Sequence, residues 1–295
     1  TVSGAGNLVS GNNSEGITLE ATNSNTIKGN IVGLNATGTT ALPNPGSNVY
    51  LRLGSSNNQI GGTTAAERNV LSASVYGDGV TLEASSTGNV ITGNYIGTNS
   101  AGTAGIGNGR FGIWFGSASG NTIGGSAAGA GNVVAASVQD GIKIESSGSN
   151  TVQGNYVGTN AAGATGLGNI RVGIYLEGSS ANNLIGGTTA GQGNTVAYNG
   201  IMGVGAACRT DITGNRILGN SIYANAELGI DLCFGSSVSA NDTGDADTGP
   251  NNYQNYPVLT NASGTSSAIT IAGTLNSKAS RTYRIEFFAS TNSNA

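Results

Sequence analysis

Short segments of the form Gly-(Ile/Val)-x-(Leu/Phe/Ile)-x recur along the chain, and their two x positions hold most of the side chains able to do chemistry on a polymer. The first x reads Thr18, Tyr50, Thr81, Trp114, Lys143, Tyr175, and the second reads Glu20, Arg52, Glu83, Gly116, Glu145, Glu177. Every second copy thus offers an aromatic ring, with carboxylates beside it. Flat rings stack on the C–H face of a pyranose, while carboxylate, ammonium and guanidinium groups bind its hydroxyls. Glu15, Asp78, Asp140, Arg110 and Arg171 fall just before the same segments and border the same face.

Acid–base chemistry is open to the same residues. Glycoside hydrolysis uses two carboxylates about 5 Å apart for retention or about 6.5–9.5 Å apart for inversion. Glu145 and Glu177, in consecutive copies, suit the shorter separation, and Asp140 can join them. Against this, Glu recurs in nearly every copy, and the chain has no histidine, the commonest general base.

These positions share a face only if a regular element holds them. Asn7, Asn69, Asn132 and Asn194 open matching stretches at a period of about sixty residues. Each period divides into two turn types. One reads Asn150-Thr-Val-Gln-Gly-Asn155-Tyr-Val-Gly, a loop, then Gly173-Ile-Tyr-Leu-Glu177; the other reads Asn121-Thr-Ile-Gly-Gly, Asn132-Val-Val-Ala, then Gly141-Ile-Lys-Ile-Glu145. Both contain three short alternating segments divided by Gly, Asn, Ser and Thr corners. Three strands per turn without hairpin signals predict an all-β, right-handed parallel β-helix of about eight turns, each strand pairing with its equivalent one turn away. Inward Ile, Val and Leu then form the core, and corner Asn residues stack as amide ladders.

The pattern resembles the right-handed parallel β-helix repeat family of secreted bacterial proteins and carbohydrate-active enzymes, over roughly Gly6 to Cys233. That family includes polysaccharide lyases, hydrolases, epimerases, adhesins and binding modules, so the resemblance implies fold rather than activity. The domain reading is 1–233 β-helix, 234–255 acidic Asn/Gly/Asp-rich linker, and 256–295 a small antiparallel β cap or truncated β-sandwich with strands at Val258-Leu259, Ala268–Leu275 and Thr282–Ala289. Thr1 enters within a repeat, which predicts a trimmed fragment of a longer chain.

Composition narrows the partners. The net charge is −4, charged residues make up 9% of the chain, and Lys and Arg nowhere cluster, so nucleic acid is excluded. No apolar stretch is long enough to span a membrane. Cys208 and Cys233 stand at comparable points of successive turns; a disulfide, favouring an oxidising setting, is expected over two free thiols. Asp242, Asp245 and Asp247 offer oxygen ligands at a spacing suited to Ca²⁺, without a full EF-hand loop, and a solvated linker is the competing reading. No other cofactor is implied.

Adjacent strands lie about 4.8 Å apart, which sets Tyr50, Trp114 and Tyr175 at roughly 9.6 Å intervals, near the advance of a β-1,4-linked glycan. The resulting expectation is a non-catalytic module for a neutral plant cell-wall polysaccharide such as xylan, with Lys143, Arg52, Glu83, Glu145, Glu177, Asp140, Arg110 and Arg171 around the aromatic row. It would be monomeric, extracellular, bacterial and covalently linked to a catalytic domain. The alternatives are a polysaccharide-degrading glycoside hydrolase or lyase using Glu145, Glu177 and Asp140, and a structural or adhesin stalk.

Overall fold

A computed structural model describes residues 6–235, 238–265 and 267–288. Thr1, and Ala289 at the end of the last predicted strand, lie outside the described residues.

Each turn of chain lays down three short strands, and every strand in the coil pairs in parallel with its equivalent on the next turn. The first sheet runs from Thr26–Ile27 to Arg216–Leu218, the second from Leu8–Val9 to Ser221–Tyr223, and the third from Ile17–Glu20 to Ile230–Asp231. This is the parallel β-helix that the repeat predicts. In the third sheet Ile113 pairs with Val80 on one side and Ile142 on the other, so the side chains of successive turns stack in columns. Val80, Leu82, Ile113, Phe115, Ile142 and Ile144 are fully buried along the axis. Each contributes about 1.5–3 kcal/mol of hydrophobic stabilisation.

The corners between strands are built from asparagine. In the second-sheet ladder, Asn7, Asn30, Asn69, Asn94, Asn132, Asn155 and Asn194 each donate Nδ2 to Oδ1 of the next at 2.8 to 3.0 Å, the last to Asn220. A first-sheet ladder runs likewise from Asn25 through Asn121 to Asn215. Within each ladder the amides bond one another, and they also bond the turning backbone, as Asn69 does to the Ile27 carbonyl and Asn89 to the Ser55 carbonyl, which supplies the buried corner groups with partners. Glycine precedes the third strand because neighbouring turns leave no room: a Cβ on Gly112 would stand 2.3 Å from Val134 and 2.6 Å from the Gly141 carbonyl.

Loops project from every second turn at 35–40, 99–104 and 160–165. Asn35, Asn99 and Asn160 close them by accepting the backbone N–H groups of Thr40, Ala104 and Thr165. The loops stack on one another through Ser100 N–H to the Gly38 carbonyl at 2.8 Å and Ala161 N–H to the Gly102 carbonyl at 2.9 Å. Gly102 lies against the Tyr95 ring and Gly163 against the Tyr156 ring.

Cys208 and Cys233 form a disulfide with their Cα atoms 4.4 Å apart. Beyond it, the stretch read as a linker folds back on the coil. Pro250–Tyr253 makes a tight turn in which Asn251 serves as the last rung of the first-sheet ladder, accepting the Asn215 N–H at 3.0 Å and donating to the Asn215 carbonyl at 2.7 Å. Val258–Gly264 and Ile269–Thr274 then pair as a small antiparallel hairpin. No strand follows Thr274 among the described residues. Where the sequence predicted one from Thr282, the Glu286 carboxylate instead accepts the Gly219 N–H at 2.7 Å. No helix of the described residues is long and apolar enough to cross a membrane.

Candidate functional site

The outward face of the third sheet brings the predicted residues together, but as a bonded network rather than an open platform. Strand register places Thr81, Trp114, Lys143 and Tyr175 in one column and Glu83, Gly116, Glu145 and Glu177 in the next. Donors in the first column reach carboxylates one turn on in the second. The Tyr50 hydroxyl donates to Glu83. Trp114 Nε1 donates to Glu145 Oε2 at 3.0 Å. Lys143 Nζ lies 2.5 Å from Glu177 Oε2 and 3.7 Å from Glu145 Oε2. Gly116 leaves the space that the Trp114 ring fills. Arg52 reaches the other way, to Glu20 at 2.7 Å, and its guanidinium lies over the Tyr50 ring.

A second layer flanks the start of the strands. Arg110 lies 4.9 Å from both the Phe111 and the Trp114 ring centroids, and 3.8 Å from the Asp78 carboxylate. Asp78 accepts the Phe111 N–H and the Thr81 hydroxyl. Asp140 accepts the Val172 N–H at 3.2 Å. Arg171 does not complete the parallel with Arg110; it lies over Phe234 at 5.6 Å.

Burial sets the electrostatics here. It pushes the carboxyl groups of Asp78 and Asp140 above the usual Asp range, although Arg110 beside Asp78 and the Val172 N–H on Asp140 oppose it. Burial also pushes the Tyr50 phenol up to about 12, with Glu83 adding to the shift, and the Tyr175 phenol up to about 12, with Glu177 and Asp140 adding.

The aromatic row is therefore not the exposed ladder that the spacing predicts. Tyr50 and Trp114 are half-buried and committed to glutamates. Tyr175 is only 6% exposed, packed with Val172 and Met202 and edge-on to Phe234 at 5.5 Å. Phe111, Met202 and Phe234 were missed by the sequence reading. Phe111 and Met202 precede their strands, where the pattern carries no fixed residue type, and Phe234 follows the repeat; its position beside Cys233 was the one signal available.

The Asp242, Asp245 and Asp247 carboxylates come within 4.8 Å of one another. Asp242 accepts the Ala246 and Asp247 N–H groups, and Asp245 accepts the Asn255 N–H and the Ser277 hydroxyl.

No family model and no curated protein matches the sequence. Among solved structures, the periplasmic alginate epimerase AlgG is similar at 18% identity with a TM-score of 0.49, over 74% of this chain and 46% of that one. The Azotobacter vinelandii mannuronan C-5 epimerase AlgE6 A-module is similar at 11% identity with a TM-score of 0.41, over 76% of this chain and 56% of that one. The chain thus spans about half the length of the solved chains it matches. The expected non-catalytic module for a neutral glycan does not hold. The row on which the module depended is bonded at Tyr50 and Trp114 and covered at Tyr175, so it offers no open platform for a chain of sugars.

Proposed function

We propose that this chain is an extracytoplasmic, polysaccharide-degrading enzyme, a glycoside hydrolase of parallel β-helix fold. The observation that carries this reading is the single ammonium group of Lys143 touching two carboxylates on adjacent turns. Those contacts keep the two Oε2 atoms of Glu145 and Glu177 no more than about 6 Å apart, a limit that admits the separation of a retaining pair. Glu177, nearer to Lys143, is the nucleophile toward the anomeric carbon. Glu145, oriented by the Trp114 indole N–H, gives its proton to the leaving oxygen as the glycosidic bond breaks and the sugar is transferred to Glu177, then takes a proton from the water that displaces Glu177 from the anomeric carbon. Trp114 and Tyr50, still partly open, flank the sugar. The disulfide fits an oxidising compartment, and the proposed chemistry needs neither a cofactor nor a separate catalytic domain.

The test is release of new reducing ends from a panel of neutral and uronate polysaccharides. Glu177→Gln and Glu145→Gln should each lower turnover by about 10²–10⁴-fold. Undiminished release by both variants would sink the assignment. A lyase is the second reading, favoured by Arg110 and Arg171, whose backbones stack two turns apart through Gln139 just before the strands of the face and whose guanidinium groups suit a uronate carboxylate. Its products carry a conjugated double bond, so ultraviolet absorbance of the digest separates the two.

A further inference from the structure

Asp78 and Asp140 hold the same place two turns apart, yet their carboxylates are served differently. In both, Oδ1 accepts a backbone N–H from the next turn, that of Phe111 at 3.1 Å and that of Val172 at 3.2 Å. Oδ2 of Asp78 also accepts the hydroxyl of Thr81, three residues on, at 2.6 Å. Oδ2 of Asp140 is buried and accepts nothing among the described residues, in a side chain that is 0% exposed. A buried acceptor left without a donor is costly. Three residues on from Asp140 stands Lys143 in place of threonine, and its ammonium is turned to Glu177 and Glu145 on the outside of the sheet. Arg171, the other cation nearby, is laid over Phe234.

The orphan oxygen is thus the one that the i+3 side chain fills two turns earlier, and here that side chain is a long, flexible cation. From this we infer that Lys143 has two seats: the glutamate pair where it rests, and Asp140 Oδ2 beneath it. Asp140 is then a positioning residue. It takes the ammonium as a glycan enters, and Glu177 and Glu145 are left free to face the anomeric carbon. The role in turnover rests on the assignment of Glu145 and Glu177 as the reacting pair; the second seat itself does not.

The chain has three lysines, Lys28, Lys143 and Lys278, which makes the ammonium groups countable by NMR of the full chain labelled with ¹⁵N-lysine. The Lys143 signal, assigned with Lys143→Arg, should resist exchange with water in the parent. It should still do so in Glu145→Gln/Glu177→Gln, where only the Asp140 seat remains, and disappear when Asp140→Asn is added. Arg171→Met should leave it unchanged. Disappearance in the double variant alone, with an unaltered melting curve, overturns the second seat. A persisting signal with no glycan cleaved keeps the seat and removes the hydrolase. Turnover abolished by Glu177→Gln, with the ammonium signal already gone in the double variant, does the reverse. On a cleaved glycan, Asp140→Asn should lower kcat about tenfold with KM unchanged, and Asp140→Glu should restore part of the loss.

Discussion

An outward glutamate on turn after turn has a partner on the turn before it: Tyr50 for Glu83, Trp114 for Glu145, Lys143 for Glu177. The acidic column was legible in the sequence as a column, but its purpose was not, because the pattern fixes where a side chain stands and not which way a long one leans. Asp140 carries a measurable signature of its burial. Its carboxyl group binds a proton more tightly in the folded than in the unfolded chain. Between the unfolded value, about 3.9, and the raised folded one, the native state holds more protons, so stability falls as pH rises through that window. Denaturant midpoints followed upward from pH 4 should therefore decline less steeply in Asp140→Asn than in the parent. Equal slopes would mean that Asp140 keeps an ordinary affinity for its proton.

At the scale of the element, the asparagine ladders carry the register. Asn121 donates to the Ser86 carbonyl and to Asn150, and accepts from the Asn89 backbone and side chain. Asn121→Ala leaves several buried polar groups unpaired at once and should cost on the order of 2–4 kcal/mol in equilibrium unfolding. Asn25→Ala, at the more exposed first rung of the same ladder, should cost less than about 1 kcal/mol; equal losses at the two rungs would show that depth in the stack does not matter. The ladders were foreseen because Asn recurs in register. The Asn251 rung was not, since no repeat leads to it and only the fold brings the Pro250–Tyr253 turn under Asn215.

For the whole molecule, contacts run almost entirely between neighbouring turns, so disturbance should stay local. Loss of the Cys208–Cys233 bridge is expected to cost about 3–4 kcal/mol through the freed 25-residue loop. Hydrogen exchange after reduction should quicken at Val204–Ala206 and Ile230–Asp231 and stay unchanged at Ile113–Gly116. Uniform quickening would reveal a cooperative coil instead. The same locality explains what was readable in advance. The coil and its columns follow from periodicity, whereas the cover over Tyr175 comes from Phe234, past the last full repeat, where there is no period to read.

The stacked loops at 35–40, 99–104 and 160–165 restrict how such a chain can change its length. They belong to alternate turns and touch across roughly 9.6 Å, two strand spacings. Deleting or duplicating a single turn would press two loops into half that gap, or leave a loop with nothing to rest on. Removing or copying a pair of turns keeps every loop seated and every Asn in line. Growth and shrinkage of this architecture should therefore come in even steps, which makes the sixty-residue pair, rather than the thirty-residue turn, the inherited unit.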